Sequence, residues 1–174
     1  LESVFTQTLL PTEIIIVDDG STDDTVSVIE NMMSQSDCDI KVIKSFHKGP
    51  GAARNLGVSK ATSTWIAFID SDDLWERNKL ETISNTIVSN PVNNIFCHAE
   101  YHLHLDGSLK VVNYGSGYNY NKKLSIQLFS RNYFSTSATV CSKTLINEFG
   151  GFDESMMNAQ DYDLWLKISP KATP

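Results

Sequence analysis

Two short apolar runs in this chain each end on a cluster of acids. Ile14-Ile15-Ile16-Val17 is followed by Asp18-Asp19-Gly20-Ser21, and Trp65-Ile66-Ala67-Phe68-Ile69 by Asp70-Ser71-Asp72-Asp73. Carboxylates packed this closely repel, so a bound cation or a set of hydrogen-bond donors has to compensate them. That chemistry implies a metal and a ligand. Each cluster also has a plainer structural account. Gly20 suits a tight turn ahead of a helix cap, and Asp70 to Asp73 suits a polar loop that caps the helix after it. A calcium loop of the EF-hand kind is excluded, because counted from Asp70 Leu74 takes a ligand position and Trp75 the place where glycine must turn the backbone. A third set, His98, Glu100, His102 and His104, falls on one face of an alternating segment. Period-two spacing of this kind can gather a transition metal, but a solvent-facing strand gives the same pattern and is the preferred reading. The opposite face, Cys97, Ala99, Tyr101 and Leu103, reads as the buried one.

The elements that must position these acids follow from periodicity. Short β-branched runs without polar interruption read as strands buried on both faces, the kind found in parallel sheets flanked by helices. In open α/β sheets the ligand crevice lies beyond the carboxyl ends of the strands, so both acidic clusters face one site. Leu1 to Thr8 has helical spacing and Pro11 ends it. Ser21 or Thr22 caps the next helix, with Asp23 and Asp24 in its first turn and Val26, Ile29, Met32 and Met33 as its apolar stripe. Ile40 to Ile43 is a strand. Gly49-Pro50-Gly51 breaks the chain before a helix from Ala52 to Ala61, which leads into the Trp65 strand. The βαβαβ order predicts parallel strands with right-handed crossovers. Beyond it, Asn78 to Val88 is a helix, Ile95 to Leu105 a strand, and Asp106-Gly107 the turn of a hairpin into Leu109 to Val112. Gly115 to Asn121 reads as a mobile loop. Lys123 to Phe129 is helical, Ala138 to Cys141 a strand, and Ser142 caps a helix that closes at Gly150-Gly151. Asp161 to Ile168 is a helix with Leu164, Trp165 and Ile168 toward the core.

Composition narrows the function classes. At 174 residues with 41% hydrophobic content, 5 Pro and 9 Gly, the chain can bury one sizeable core and reads as one domain. Its net charge of -7 argues against a nucleic-acid surface, which leans on clustered Lys and Arg. No apolar stretch approaches the ~20 residues of a membrane helix, and no basic region with an apolar core marks a secretion signal. Cys38, Cys97 and Cys141 are odd in number and contain no CxxC pair, which fits a reducing compartment. The expected location is cytoplasmic.

Six motifs in order resemble the family 2 glycosyltransferases of GT-A fold, which transfer a sugar from a nucleotide diphosphate. They are Ser3-Val4-Phe5-Thr6-Gln7-Thr8, Glu13 to Asp23, Gly51-Ala52-Ala53-Arg54-Asn55-Leu56-Gly57, Asp70-Ser71-Asp72-Asp73, Gly150-Gly151-Phe152-Asp153, and Gln160-Asp161-Tyr162-Asp163-Leu164-Trp165. The resemblance implies a Rossmann-like α/β fold with a mostly parallel central sheet flanked by helices. Residues 1–75 would be its nucleotide-binding half and 76–174 its acceptor-side half. It implies Asp72 as the ligand of a divalent metal, Mn²⁺ or Mg²⁺, and Asp70 as a contact to the ribose or donor sugar. Asp19 would accept a hydrogen bond from the base, Arg54 would lie near that base, and Asp161 would be the general base in an inverting transfer. An imide N–H of uracil or thymine can donate to Asp19 where the matching nitrogen of cytosine cannot, which favours a UDP or dTDP donor. Arg54 pairing with a surface acid stays open beside its nucleotide role.

The implied partners are a nucleotide-sugar donor and a saccharide or lipid-linked acceptor, with no nucleic acid. Peripheral association of the full-length protein with the inner face of a membrane stays open. Relatives commonly carry Glu where Gln160 stands. They also begin with a central strand and continue past Trp165, so this sequence is expected to be a piece of a longer one. An alternative from another class is a receiver-like or non-enzymatic module using Asp18, Asp19 and Asp70 around Mg²⁺.

Overall fold

The β-branched run Ile14–Val17 forms the strand it predicts, and its acids lie at the strand's carboxyl end. A computed structural model, which describes residues 1–34 and 38–174, runs through α1 (Glu2–Phe5), β1 (Ile14–Asp18), α2 (Thr25–Met33), β2 (Ile40–Lys44), α3 (Pro50–Lys60) and β3 (Trp65–Ala67). It continues through α4 (Lys79–Ser89), β4 (Ile95–Cys97), β5 (Glu100–Leu103), β6 (Leu109–Val112), α5 (Leu124–Leu128), β7 (Thr139–Ser142), α6 (Lys143–Glu148) and α7 (Gln160–Ile168). The α/β architecture is the expected one. Its parallel part is β1–β2, with Ile14 opposite Ile40 and Asp18 opposite Lys44.

The third strand departs from the βαβαβ expectation. β3 does not join β1; it lies antiparallel to β7, which takes β4 antiparallel on its other edge. Among the described residues, β1 therefore has a strand neighbour on one edge only. This is why Ile14, Ile15, Ile16 and Val17 are half-buried rather than closed on both faces. α3 covers one of those faces, with Gly57 set against the side chains of Ile15 and Val17.

Local corrections have local causes. The first helix is shorter than Leu1 to Thr8, because Gln7 leaves it to bond the Glu76 carbonyl and the Leu80 amide. α2 starts later than a cap at Ser21 or Thr22 would place it. Asp23 lies ahead of the helix, and its carboxylate accepts from the Thr25 amide at 3.1 Å and the Thr25 hydroxyl at 2.5 Å. α6 ends as read, with Gly150 at φ +80 and the Gly151 amide bonding the Ile146 carbonyl.

The alternating segment 95–105 is not one strand. It divides at His98-Ala99, where β4 enters the sheet with β7 and β5 leaves to pair with β6 as a separate hairpin. Gly107 at φ +82 turns that hairpin as expected. Of the face expected to be buried, Cys97 packs on the core, but past the break it is open, with Tyr101 58% and Leu103 72% exposed, because among the described residues no layer packs against the hairpin there. Period two reports which residues share a face; it does not report which face meets a core.

The core gathers under the second acidic cluster. Phe68, Phe134, Phe152 and Trp165 form a set of edge-to-face and tilted rings with centroids 5.5 to 6.4 Å apart. Each sits just before or after a segment of the candidate site. Phe68 precedes Asp70, Phe134 precedes the 135–137 turn, Phe152 precedes Asp153, and Trp165 lies one helical turn past Asp161.

Candidate active site

The first acidic cluster is built from backbone donors. Asp18 is buried and accepts from the Ser21 amide at 3.2 Å, which closes the turn through Gly20 at φ +86. A Cβ on Gly20 would stand 3.1 Å from the His47 amide nitrogen, so the turn requires glycine both for conformation and for space. The Asp19 carboxylate accepts from the amides of Lys48, at 3.0 and 3.2 Å, and Gly49, at 2.7 Å. His47 Nδ1 lies 3.3 Å from it. Asp19 thus ties β1 to the start of α3, where Gly49 at φ +93 turns the chain and Pro50 begins the helix.

The second cluster is reached through Arg54. Its guanidinium donates to Asp70 Oδ1 at 2.7 Å and lies 5.6 Å from the Phe152 ring. The acid it pairs with is thus Asp70, itself a site candidate. The Arg54 side chain is 18% exposed, so this pair is screened less than a surface one. The Asp70 amide donates to Ser137 Oγ at 2.9 Å, and the Asp73 amide closes the turn on the Asp70 carbonyl. Ser71, Asp72 and Asp73 are exposed at its tip.

Among the described residues no group of three or more His, Cys, Asp or Glu forms a ready-made metal cage. The donor set here is an exposed Asp72 carboxylate beside an Asp70 already paired to Arg54. It fits a hard cation that keeps waters and takes its other ligands from a diphosphate. The histidine set expected on one strand face does not assemble: His98 belongs to the break between β4 and β5, and Glu100 turns to Ser135.

Asp161 sits in the first turn of α7, where a carboxylate suits the helix dipole. Its Oδ2 accepts from the Thr136 hydroxyl at 3.1 Å. Asp163 points elsewhere and pairs with Lys167 at 2.6 Å, which separates the two acids of the motif. Gln160 is buried and donates to the Met156 carbonyl. The residue before α7, Ala159, is in the left-handed region at φ 57.

Asn55 performs a task that sequence reading missed. It accepts from the Phe152 amide at 2.8 Å and donates to the Phe152 carbonyl at 2.8 Å and to Glu154 at 2.9 Å. This clasp holds the Gly150-Gly151-Phe152-Asp153 segment on α3. Thr136, Ser137 and Glu100 were also missed as partners of the site; the run Ser135-Thr136-Ser137 directly ahead of a strand was the available signal.

The candidate residues are thus joined by consecutive contacts. Asp19 holds Lys48 and Gly49 at the head of α3; α3 carries Arg54 to Asp70; Asp70 rests on Ser137; and Thr136 holds Asp161. Asp72 lies two residues beyond Asp70 on the same turn. A receiver-like module does not fit this arrangement, since its doubly wound sheet would run β3 parallel to its neighbours.

Comparison with known proteins identifies the family and the fold. A family model described as Glycosyl transferase family 2 matches residues 1–146. An uncharacterized glycosyltransferase of Rickettsia conorii is 35% identical over 98% of this chain, which spans 27% of that protein. A UDP-Glc:alpha-D-GlcNAc-diphosphoundecaprenol beta-1,3-glucosyltransferase of Escherichia coli is 31% identical over 98% of this chain and 64% of its own length. The crystal structure of Staphylococcus aureus TarS residues 1–349 with UDP superposes with a TM-score of 0.70 at 20% identity, covering 97% of this chain and 49% of that one. A mannosyltransferase of Pyrobaculum calidifontis in complex with GDP-Man and Mn²⁺ gives 0.69 at 18% identity, over 96% and 46%. The chain spans about a quarter of the length of the first curated relatives it matches.

Proposed function

Because the chain belongs to glycosyl transferase family 2, we propose that it carries the donor site and general base of an inverting transfer from a nucleotide diphosphate sugar to an acceptor hydroxyl. The contact path from Asp19 to Asp161 is the observation that carries this reading. A UDP donor is supported by the UDP bound in TarS and the UDP-Glc named for the Escherichia coli relative. A saccharide or lipid-linked acceptor is supported by that relative's name. Whether the full-length protein docks at a membrane belongs to the same proposal; among the described residues no helix is long and apolar enough to cross one.

The roles follow from chemistry and placement. Asp161 takes the proton of the acceptor hydroxyl as its oxygen attacks the anomeric carbon. The bond from that carbon to the diphosphate oxygen breaks on the opposite face, which inverts the centre. A divalent cation, Mn²⁺ or Mg²⁺, held at Asp72 would supply charge neutralisation for the departing diphosphate. Asp70, oriented by Arg54, meets the ribose or donor sugar. Asp19, whose oxygens keep lone pairs beyond those taken by Lys48 and Gly49, accepts the imide N–H of the base.

The test is ligand-dependent thermal stability of the full-length protein with UDP, GDP and ADP, with and without Mn²⁺. UDP with Mn²⁺ should raise the midpoint most, and Asp72→Asn should abolish the Mn²⁺-dependent part while leaving the unliganded midpoint in place. An equal UDP response in Asp72→Asn removes that residue from the metal site, and no response to any nucleotide overturns the donor reading.

A further inference from the structure

We infer that the turn Ser135-Thr136-Ser137 is a positioning element that sets Asp161 against the loop of Asp70 through consecutive hydroxyl groups. The inference rests on the proposed roles of those two acids. Ser and Thr in turns ordinarily bond their own neighbouring backbone. Here three successive side chains reach three separate elements. The Ser135 hydroxyl donates to Glu100 Oε1 at 2.6 Å, at the start of β5. The Thr136 hydroxyl donates to Asp161 Oδ2 at 3.1 Å, in α7. Ser137 Oγ accepts the Asp70 amide at 2.9 Å, past the end of β3.

The turn itself is rigidly backed. Thr136 and Ser137 are 6% and 5% exposed. The Thr139 hydroxyl bonds the Ser135 carbonyl at 2.6 Å, and the Thr139 amide bonds the Thr136 carbonyl at 3.0 Å. From below, the Ser137 carbonyl accepts from Lys79 Nζ at 2.6 Å and from Trp75 Nε1 at 3.2 Å. Lys79 is buried with its amine 4.1 Å from the Trp75 ring. A lysine is costly to bury, and burial pulls this one down to about 7. Among the described residues, the one hydrogen bond its amine makes goes to the turn. The arrangement transmits position: a shift of Ser137 moves Asp70, and a shift of Thr136 moves the base.

Two variants in the full-length protein separate this role from general support of the fold. With Mn²⁺ present, Ser137→Ala should speed amide exchange in the peptide carrying Asp70 and weaken UDP binding ~5-fold. Thr136→Val should leave UDP affinity near wild type, lower kcat for hydrolysis of UDP-GlcNAc by water to UDP and GlcNAc ~10-fold, and recover in Thr136→Ser. Unchanged exchange at Asp70 in Ser137→Ala, or a Thr136→Val kcat equal to wild type, overturns the inference. If the wild type does not bind UDP, the donor reading fails instead, and if it binds UDP without hydrolysing UDP-GlcNAc, the choice of sugar fails. Exchange at Asp70 then decides the turn by itself, faster exchange supporting it and unchanged exchange overturning it.

Discussion

Ala159 shows strain held beside the proposed base. It sits at φ 57 and ψ 26 immediately before α7, a conformation that costs a residue with a Cβ about 1 to 2 kcal/mol. Glycine adopts it freely but loses more freedom on folding, so Ala159→Gly should stabilise the protein by about 0.5 to 1 kcal/mol in urea unfolding. An unchanged midpoint would mean that the backbone at 159 relaxes without cost. Strained residues cluster where a neighbour must be aimed, and here the neighbour is the helix that presents Asp161. The residue scale also shows the limit of reading acids alone. Asp18, Asp19, Asp70 and Asp161 were identifiable as charged groups at strand and helix ends. The hydrogen-bond partners of the last three, the amides of Lys48 and Gly49 and the hydroxyls of Ser137 and Thr136, were not, because each comes from a segment distant in sequence.

At the scale of elements, the site depends on α3 lying against the 150–154 segment. Asn55 reads both the amide and the carbonyl of Phe152, and Gly151 at φ +76 lets the chain pass beneath it. A Cβ at position 151 would meet Asn55 Oδ1 at 2.4 Å. Gly151→Ala therefore combines a left-handed backbone with overpacking and should cost about 2 to 4 kcal/mol. Asn55→Ala removes the clash along with the clasp, so the double variant should lose less than the sum of the two single losses. Additive losses in urea unfolding would show that the two residues do not meet. The β5–β6 hairpin gives the opposite lesson: its turn at Asp106-Gly107 was legible, but its exposure was not. Turn chemistry is local, and the layer that would cover a face is not.

Across the whole molecule, Glu13 joins the β1–β2 pair to the turn that leads into β3. Its carboxylate takes Lys41 Nζ at 2.9 Å together with the amides and hydroxyls of Thr62 and Ser63. Burial alone would push this carboxyl up, but Lys41, the Thr62 hydroxyl and the amides of Thr62 and Ser63 outweigh it and hold it well below its ordinary 4.5. A carboxyl depressed in the folded state adds stability that is full above its unfolded value and is lost as the pH falls below it. The urea midpoint of the wild type should thus drop as the pH is taken below about 4.5, and Glu13→Gln, destabilised at neutral pH, should drop less over that interval. Parallel pH profiles would remove Glu13 from this role.

What the amino-acid order determined by itself is the set of local elements and the acids at their ends: hydrophobic period, turn residues and caps act within a few positions of one another. It also carried the family, since six short motifs kept their order. Only the tertiary structure decided that β3 runs antiparallel to β7, that Asp70 is matched to Arg54, and that one buried turn serves both Asp70 and Asp161. Those outcomes depend on which surfaces close together, and that closure is set by packing of residues tens of positions apart, such as Phe68, Phe134, Phe152 and Trp165.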